Sequence, residues 1–250
     1  MANSGNIVPL NVIVIPTYRE SDALPLFLGE LLPLLNKHDL IVISDDSPEG
    51  ERNVMVSRCA DLGKLYSIPI LFSFTDFKSG RGSAVRRGMK YTLENFPTVE
   101  TFIECDADGS HRPIDVVTLK EYEVITDMLV GSRYTRGSEI HGWPISRRVF
   151  SRVINFVIPK ALNLQLKDVT NGLRRYSKTA TRLIVDTEQK NSGFIYLSEQ
   201  AAIISRGGCK MDEIPIIFVN RIAGTSTVTA KEVVDSVLGV INLLFSHRKR

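Results

Sequence analysis

Short apolar runs spaced along the first half of the chain constrain its fold more than any other feature. "NVIVIPTY" (11–18), "DLIVISDDSPEG" (39–50), "IPILFSF" (68–74), "ETFIECDADG" (100–109) and "DMLVGSRY" (127–134) read as strands, the second running on into a turn. Between them lie helical patterns. "ALPLFLGELLPLLNK" (23–37) has Pro25 near its start and a break expected at Pro33. "ERNVMVSRCADLG" (51–63) is expected to close at Gly63, and "SGRGSAVRRGMKYTLENF" (79–96) opens on glycines. Strands alternating with helices predict an α/β fold: a mostly parallel, Rossmann-like sheet with helices on both faces. Such sheets bind ligands beyond the carboxyl ends of their strands. The charged punctuation falls there: Glu20, Asp45, Asp46, Asp106, Asp108 and Arg133. From about residue 135 the alternation fades, which predicts a lid, a second binding region or both.

Length and charge narrow the classes. The 250 residues fit one large domain or two small ones, and no internal repeat divides them. A net charge of +3 is too small to argue for nucleic acid. Cys59, Cys105 and Cys209 are an odd, unpatterned set and read as reduced thiols. The N-terminus lacks the basic and apolar regions of a signal peptide, and no apolar run is long enough to predict a spanning helix. Segments 149–166 and 233–250 are apolar but broken by Arg152, Lys160 and Asp235. Each fits a core helix, and each equally fits a helix lying in a membrane interface.

The chemistry concentrates in a few places. Asp106 and Asp108 flank Ala107 where a buried strand surfaces. Two nearby carboxylates repel, and a hard divalent cation such as Mg²⁺ or Mn²⁺ relieves them while keeping positions open for phosphates. The alternative is an Asx-turn capping the next helix. "GRGSAVRRGM" lacks the Lys-Ser/Thr of a P-loop, and Gly80, Gly82 and Gly88 do not make G-x-G-x-x-G, so a tight turn with close helix packing is the favoured reading. Arg147 and Ser151 stand at i and i+4, where a guanidinium and a hydroxyl on one helix face can grip a phosphate; a solvated basic face is the alternative. His38, His111, His141 and His247 form no triad or metal-ligand pattern and read as structural or surface residues.

Taken in order, "IPTYRE", "IVISDDSPEG", "GRGSAVRRGM", "DADGSHRP", "GSRYTRG", "GWPISRRVFSRVINF", "DVTNGLRRYSK" and "IPIIFVNRIAGTS" resemble an inverting GT-A glycosyltransferase of the family-2 type, and within it the polyprenyl-phosphate (dolichyl-phosphate) mannose synthases. The resemblance covers about residues 10 to 230. It implies one domain over 1–250, with a nucleotide-sugar half at about 8–134 and an acceptor half with amphipathic, membrane-interface helices at about 135–250. Pro16, Tyr18, Glu20, Ile43 and Asp45 would line the base and ribose. Asp106, Ala107 and Asp108 would hold the diphosphate and metal, with Ser110 a further metal ligand. Asp108 and Arg133 would act on the reacting phosphates, Arg147 and Ser151 with Arg133 on the acceptor phosphate, and Arg221 on a loop closing over the donor. Thr225, Ser226 and Thr227 stand where relatives carry Glu-Ser-Lys; Lys231, one turn on, is a possible substitute for that lysine.

The implied reaction moves mannose from GDP-mannose to a polyprenyl or dolichyl phosphate with inversion, using Mg²⁺ or Mn²⁺. It implies a cytoplasmic protein peripheral on a membrane: the cytosolic face of the endoplasmic reticulum in a eukaryote, the inner face of the plasma membrane in a prokaryote. A small membrane-embedded partner subunit is compatible with it. Alternatives are transfer of glucose or another sugar from a UDP-sugar, and a non-catalytic regulatory subunit that binds nucleotide sugar. A sugar-1-phosphate nucleotidyltransferase fits less well, because "PTYRE" stands where a glycine-rich, basic triphosphate loop would follow the first strand.

Overall fold

The computed structural model describes residues 8–189, 191 and 195–220. In chain order its elements are β1 (Asn11–Thr17), α1 (Ala23–Leu31), β2 (Asp39–Asp45), α2 (Glu49–Tyr66), β3 (Ile70–Phe74), α3 (Arg81–Asn95), β4 (Thr101–Glu104), α4 (Pro113–Glu121), β5 (Met128–Ser132), β6 (Glu139–Ile140), α5 (Ile145–Leu162), β7 (Arg174–Ser177), α6 (Lys178–Asp186), α7 (Tyr196–Arg206), β8 (Met211–Pro215) and β9 (Ile217–Phe218). The main sheet has seven strands in the order β3-β2-β1-β4-β7-β5-β8, and β6 pairs with β9 in a second ladder.

The alternation of side chains sorts the core into two layers. Val12, Val14, Leu40 and Val42 pack with residues of α3, α6 and α7. Ile13, Ile15, Ile41 and Ile43 pack with residues of α1, α2 and α4. A strand buried on both faces must be apolar at every position, which is why these segments stand out in the sequence. The parallel register of β1 with β2 and with β4 brings their carboxyl ends to one edge.

Three expectations change. The helix after β2 does not stop at Gly63; it runs to Tyr66, and Ser67 turns it off in the left-handed conformation at φ 57°. Gly63 is there for packing, since a Cβ would stand 3.0 Å from the Ile68 carbonyl and 3.1 Å from Ile70 Cγ1. The break at Pro33 is present: α1 ends at Leu31 and a single 3-10 turn, Leu32–Leu34, follows. The region after 135 is more than a lid, because it supplies β7 and β8 to the main sheet. β7 runs antiparallel to both β4 and β5. Its sequence, "RRYS", hides a strand because Arg174 is wholly buried and donates to the carbonyls of Asn171, Leu197 and Val169 at 2.7–2.9 Å. The strands are also shorter than their apolar patterns, so Tyr18, Asp106, Asp108 and Arg133 all stand on loops. Arg221, Thr225, Ser226, Thr227, Lys231 and the segment 233–250 lie outside the described residues.

Candidate active site

The first part of the site is the carboxyl edge of β1 and β2. Asp45 closes β2 and is wholly buried; it accepts from Thr17 Oγ1 at 2.8 Å and Ser47 Oγ at 2.7 Å, with Arg52 Nε 3.7 Å away. Its carboxylate is thus spent on tying two strand ends together, and Ile43 is packed in the core beside it. Pro16 is buried in β1, whereas Tyr18 and Glu20 are half-buried at the edge. Between them Arg19 adopts the left-handed conformation at φ 59°, held by its N–H donating to Ser47 Oγ at 2.8 Å. A non-glycine residue takes that conformation only when its surroundings enforce it.

Asp46 organises the loop before α3. It accepts from the Ser79 N–H at 2.6 Å, Ser79 Oγ at 2.8 Å and the Gly80 N–H at 3.2 Å, and Arg87 Nη2 meets it at 2.9 Å. Gly80 has φ 89°, and a Cβ at Gly88 would stand 2.6 Å from Val14 Cγ1. The glycines therefore serve a tight turn and a close helix–sheet approach.

The acid loop follows β4. Asp108 is 5% exposed and accepts the Ser110 N–H at 3.0 Å, an Asx-type turn that also buries Ser110. Asp106 is half-buried. Its N–H donates to His111 Nδ1 at 2.9 Å, and the opposite ring nitrogen, Nε2, lies 3.1 Å from Asn171 Oδ1. His111 is thus buried with both nitrogens committed, a structural residue as its lack of sequence partners suggested. The carboxylates of Asp106 and Asp108 are oxygen donors of the kind a hard cation takes. Among the described residues no cluster of three or more acidic, histidine or cysteine side chains completes a cage.

Arg133 follows β5 and is buried. Its Nε meets Asp168 Oδ2 at 2.7 Å, its Nη2 meets Asp168 Oδ1 at 2.8 Å, and Thr170 Oγ1 lies 2.7 Å from Nη2. Burial alone would pull the Arg133 guanidinium down, but Asp168 holds it up and charged. Burial alone would push the Asp168 carboxyl up, but Arg133 and the surrounding N–H donors hold it below the ordinary carboxylate range. Asn171, which also donates its N–H to Asp168 Oδ1 at 3.1 Å, links this pair back to His111 and the acid loop. The rings of Trp143 and Phe218 each lie 5.3 Å from the Arg133 guanidinium.

Beyond Arg133 opens a cavity of about 730 Å³ against α5. Arg133, Arg148 and Arg152 supply its positive charge, Glu139 lines it as a carboxylate beside His141, and Ile145, Val149 and Val153 form its apolar wall. Arg147 and Ser151 do sit one turn apart on α5. Arg147 stacks on Trp143 at 4.0 Å, and Ser151 Oγ accepts from the Tyr134 hydroxyl at 2.6 Å. The apolar wall continues onto an exposed face: Ile145 is 80% exposed, Phe156 61% and Val153 52%. No helix among the described residues is long and apolar enough to cross a membrane.

Asp106 is thus connected through His111, Asn171 and Asp168 to Arg133, while Asp108 and Ser110 form a turn of their own on the same loop. Arg81, Glu104, Asp168 and Asn171 were not singled out by spacing. Only the Gly172 that follows "DVTN" in the sequence hints at a close approach.

Comparisons with known proteins bear on this geometry. The model of glycosyl transferase family 2 matches residues 12–184. The undecaprenyl-phosphate mannosyltransferase of Micrococcus luteus is 32% identical over 227 residues, 91% of this chain and 90% of that one. The polyprenol monophosphomannose synthase of Mycolicibacterium smegmatis is 26% identical over 231 residues, 92% of this chain and 84% of that one. Among solved structures, glucosyl-3-phosphoglycerate synthase from Mycobacterium tuberculosis, in complex with Mn²⁺, UDP and phosphoglyceric acid, has a TM-score of 0.63 at 13% identity, covering 96% of this chain and 78% of that one. A mannosyltransferase from Pyrobaculum calidifontis, in complex with GDP-Man and Mn²⁺, has a TM-score of 0.62 at 14% identity, covering 96% and 65%. At such identities the two structures establish a shared fold.

Proposed function

The chain belongs to glycosyl transferase family 2, among the polyprenyl-phosphate mannosyltransferases, and from that premise we propose that it moves mannose from GDP-mannose onto a polyprenyl phosphate with inversion at the sugar. The observation that carries the proposal is the cavity against α5, lined by Arg133, Arg148 and Arg152 and walled by apolar residues of that helix, with Arg133 tied through Asp168, Asn171 and His111 to the acid loop. A phosphate on a long hydrocarbon has that chemistry: charge at one end, grease at the other.

Asp106 and Asp108 would hold a Mg²⁺ or Mn²⁺ ion, with Ser110 beside them. When bound, such an ion neutralises the charge that gathers on the departing nucleoside diphosphate. Tyr18 and Glu20, half-buried after β1, would border the nucleotide, with buried Pro16 preceding them in the strand. The nucleophile is the acceptor phosphate itself. Its second pKa is about 6, so it is largely ionised at neutral pH and needs no general base. The commitment of both His111 nitrogens agrees with that, leaving the protein's task as positioning. Arg133, Arg147 and Ser151, with Arg148 and Arg152 lining the cavity, would offset the acceptor's charge as it nears an anionic donor. The exposed apolar face of α5 would rest in the headgroup region of a membrane, on the side where nucleotide sugars are made.

The test is a panel of radiolabelled nucleotide sugars offered with polyprenyl phosphates and Mn²⁺ or Mg²⁺, read as label entering the organic phase. GDP-mannose should label the lipid in the wild type, and Asp108→Ala should abolish transfer while melting within a few degrees of wild type. Full transfer by that variant would refute the site. Labelling from a UDP-sugar instead would keep the site and change the donor.

A further inference from the structure

Arg81, the first residue of α3, reaches across to the foot of the acid loop. Its Nε and Nη2 meet Asp106 Oδ1 at 2.7 Å, and its Nη1 is ion-paired with Glu104 Oε1. Glu104 is the last residue of β4 and has no exposed surface. Its remaining partners are two phenols, Tyr176 at 3.0 Å from Oε2 and Tyr196 on Oε1. The Tyr196 ring lies 5.4 Å from the Arg81 guanidinium. Two glycines make room for this arrangement. A Cβ at Gly172 would stand 2.3 Å from Arg81 Nη2 and 2.8 Å from Cζ, and a Cβ at Gly82 would stand 2.6 Å from Tyr196 Cγ. The seat is thus assembled from α3, β4, β7, α7 and the loop before β7.

The charges in this seat matter as much as the contacts. A lone arginine against Asp106 would cancel half of the charge that two carboxylates offer a divalent ion. Glu104 shares Arg81 with Asp106, so the guanidinium is divided between two carboxylates; burial pushes the Glu104 carboxyl up despite Arg81 and the buried Arg174 nearby. Burial alone would pull Arg81 down, yet Asp106 and Glu104 hold it firmly protonated.

We infer that Arg81 is a positioning residue for Asp106: anchored on Glu104, it grips Oδ1 and sets the orientation of the carboxylate before the ion and nucleotide arrive. This rests on the reading of Asp106 and Asp108 as the metal-holding pair. Partners that orient a metal ligand from behind typically change metal affinity 10–100-fold when removed.

Two variants test it differently. Arg81→Leu combined with Glu104→Met removes the paired charges together, while Arg174, which Glu104 also attracts, keeps its three carbonyl acceptors. Gly172→Ala keeps both charges but drives the guanidinium off its seat. Mn²⁺ is titrated into each variant and into wild type with GDP present, the free ion being followed by its electron paramagnetic resonance signal. Metal-free GDP binding and melting are followed alongside. The Mn²⁺ dissociation constant should rise about tenfold in both variants. GDP binding without metal should stay within twofold. Arg81→Lys, which keeps the cation but loses the fork, should fall between them and wild type. Mn²⁺ affinity equal to wild type in Gly172→Ala and Arg81→Lys would overturn the inference even if the double variant failed to fold. A wild type that takes up no Mn²⁺ would overturn the metal site itself, which is a separate result.

Discussion

Arg133 and Asp168 form a forked ion pair in the interior, with Nε on Oδ2 at 2.7 Å and Nη2 on Oδ1 at 2.8 Å. Asp168 is 0% exposed and Arg133 8%. The pair holds the loop before β7 against the end of β5, and with it the Arg133 wall of the cavity. Asp168→Asn removes the charge and leaves a buried guanidinium without a counter-ion, which costs about 3 kcal/mol. Because Asp168 titrates lower in the folded chain than in the unfolded one, its contribution is complete above the unfolded value, about 3.9, and is lost as pH falls through the depressed folded value. Urea unfolding of wild type and Asp168→Asn should differ most near neutral pH and converge below about pH 4.

His111 separates structure from catalysis. Replacing it with phenylalanine leaves the Asp106 N–H without its acceptor and costs about 1–3 kcal/mol. If His111 only shapes the loop, the variant's kcat/KM against pH keeps the wild-type profile at a lower level. A profile whose shape changes in the variant would make it an acid or base.

The acceptor end can be tested through Arg147. A charge-assisted contact to a phosphate is worth about 1.5–3 kcal/mol, so Arg147→Ala should raise the KM for polyprenyl phosphate about tenfold or more. The KM for nucleotide sugar should stay within twofold. Equal changes in both would move the acceptor phosphate to Arg148 and Arg152, which line the cavity directly.

Val153 and Phe156 are exposed on α5, so Val153→Asp with Phe156→Asp should change folding stability by only about 0.5 kcal/mol per site. The same pair of changes should abolish co-sedimentation with anionic lipid vesicles. Retained vesicle binding would place the membrane contact elsewhere.

Much of this architecture was legible in the sequence because burial on both faces leaves a plain mark. β1 and β2 are apolar at successive positions, and the carboxylates at their ends and after β4 announce where the sheet opens. α5 declared itself by apolar residues mixed with Arg148 and Arg152. Gly63 misled, since close packing and chain reversal call for the same residue. β7 was invisible because Arg174 is stabilised by three carbonyls that only the folded chain brings together. The Arg81–Glu104 and Arg133–Asp168 pairs join residues 23 and 35 positions apart, and no local pattern encodes such partners.

β7 sits between β4 and β5, yet it enters the chain more than forty residues after β5 ends. On a ribosome the first four strands can zip in order, but β5 has no neighbour to join until the segment 174–177 emerges. The seam of the molecule is therefore sewn late, with only β8 and β9 of the described strands still to come, and the acid loop hangs from that seam. A nascent chain halted before this stitch would carry β1 to β5 complete and still lack a joined sheet beneath the acid loop.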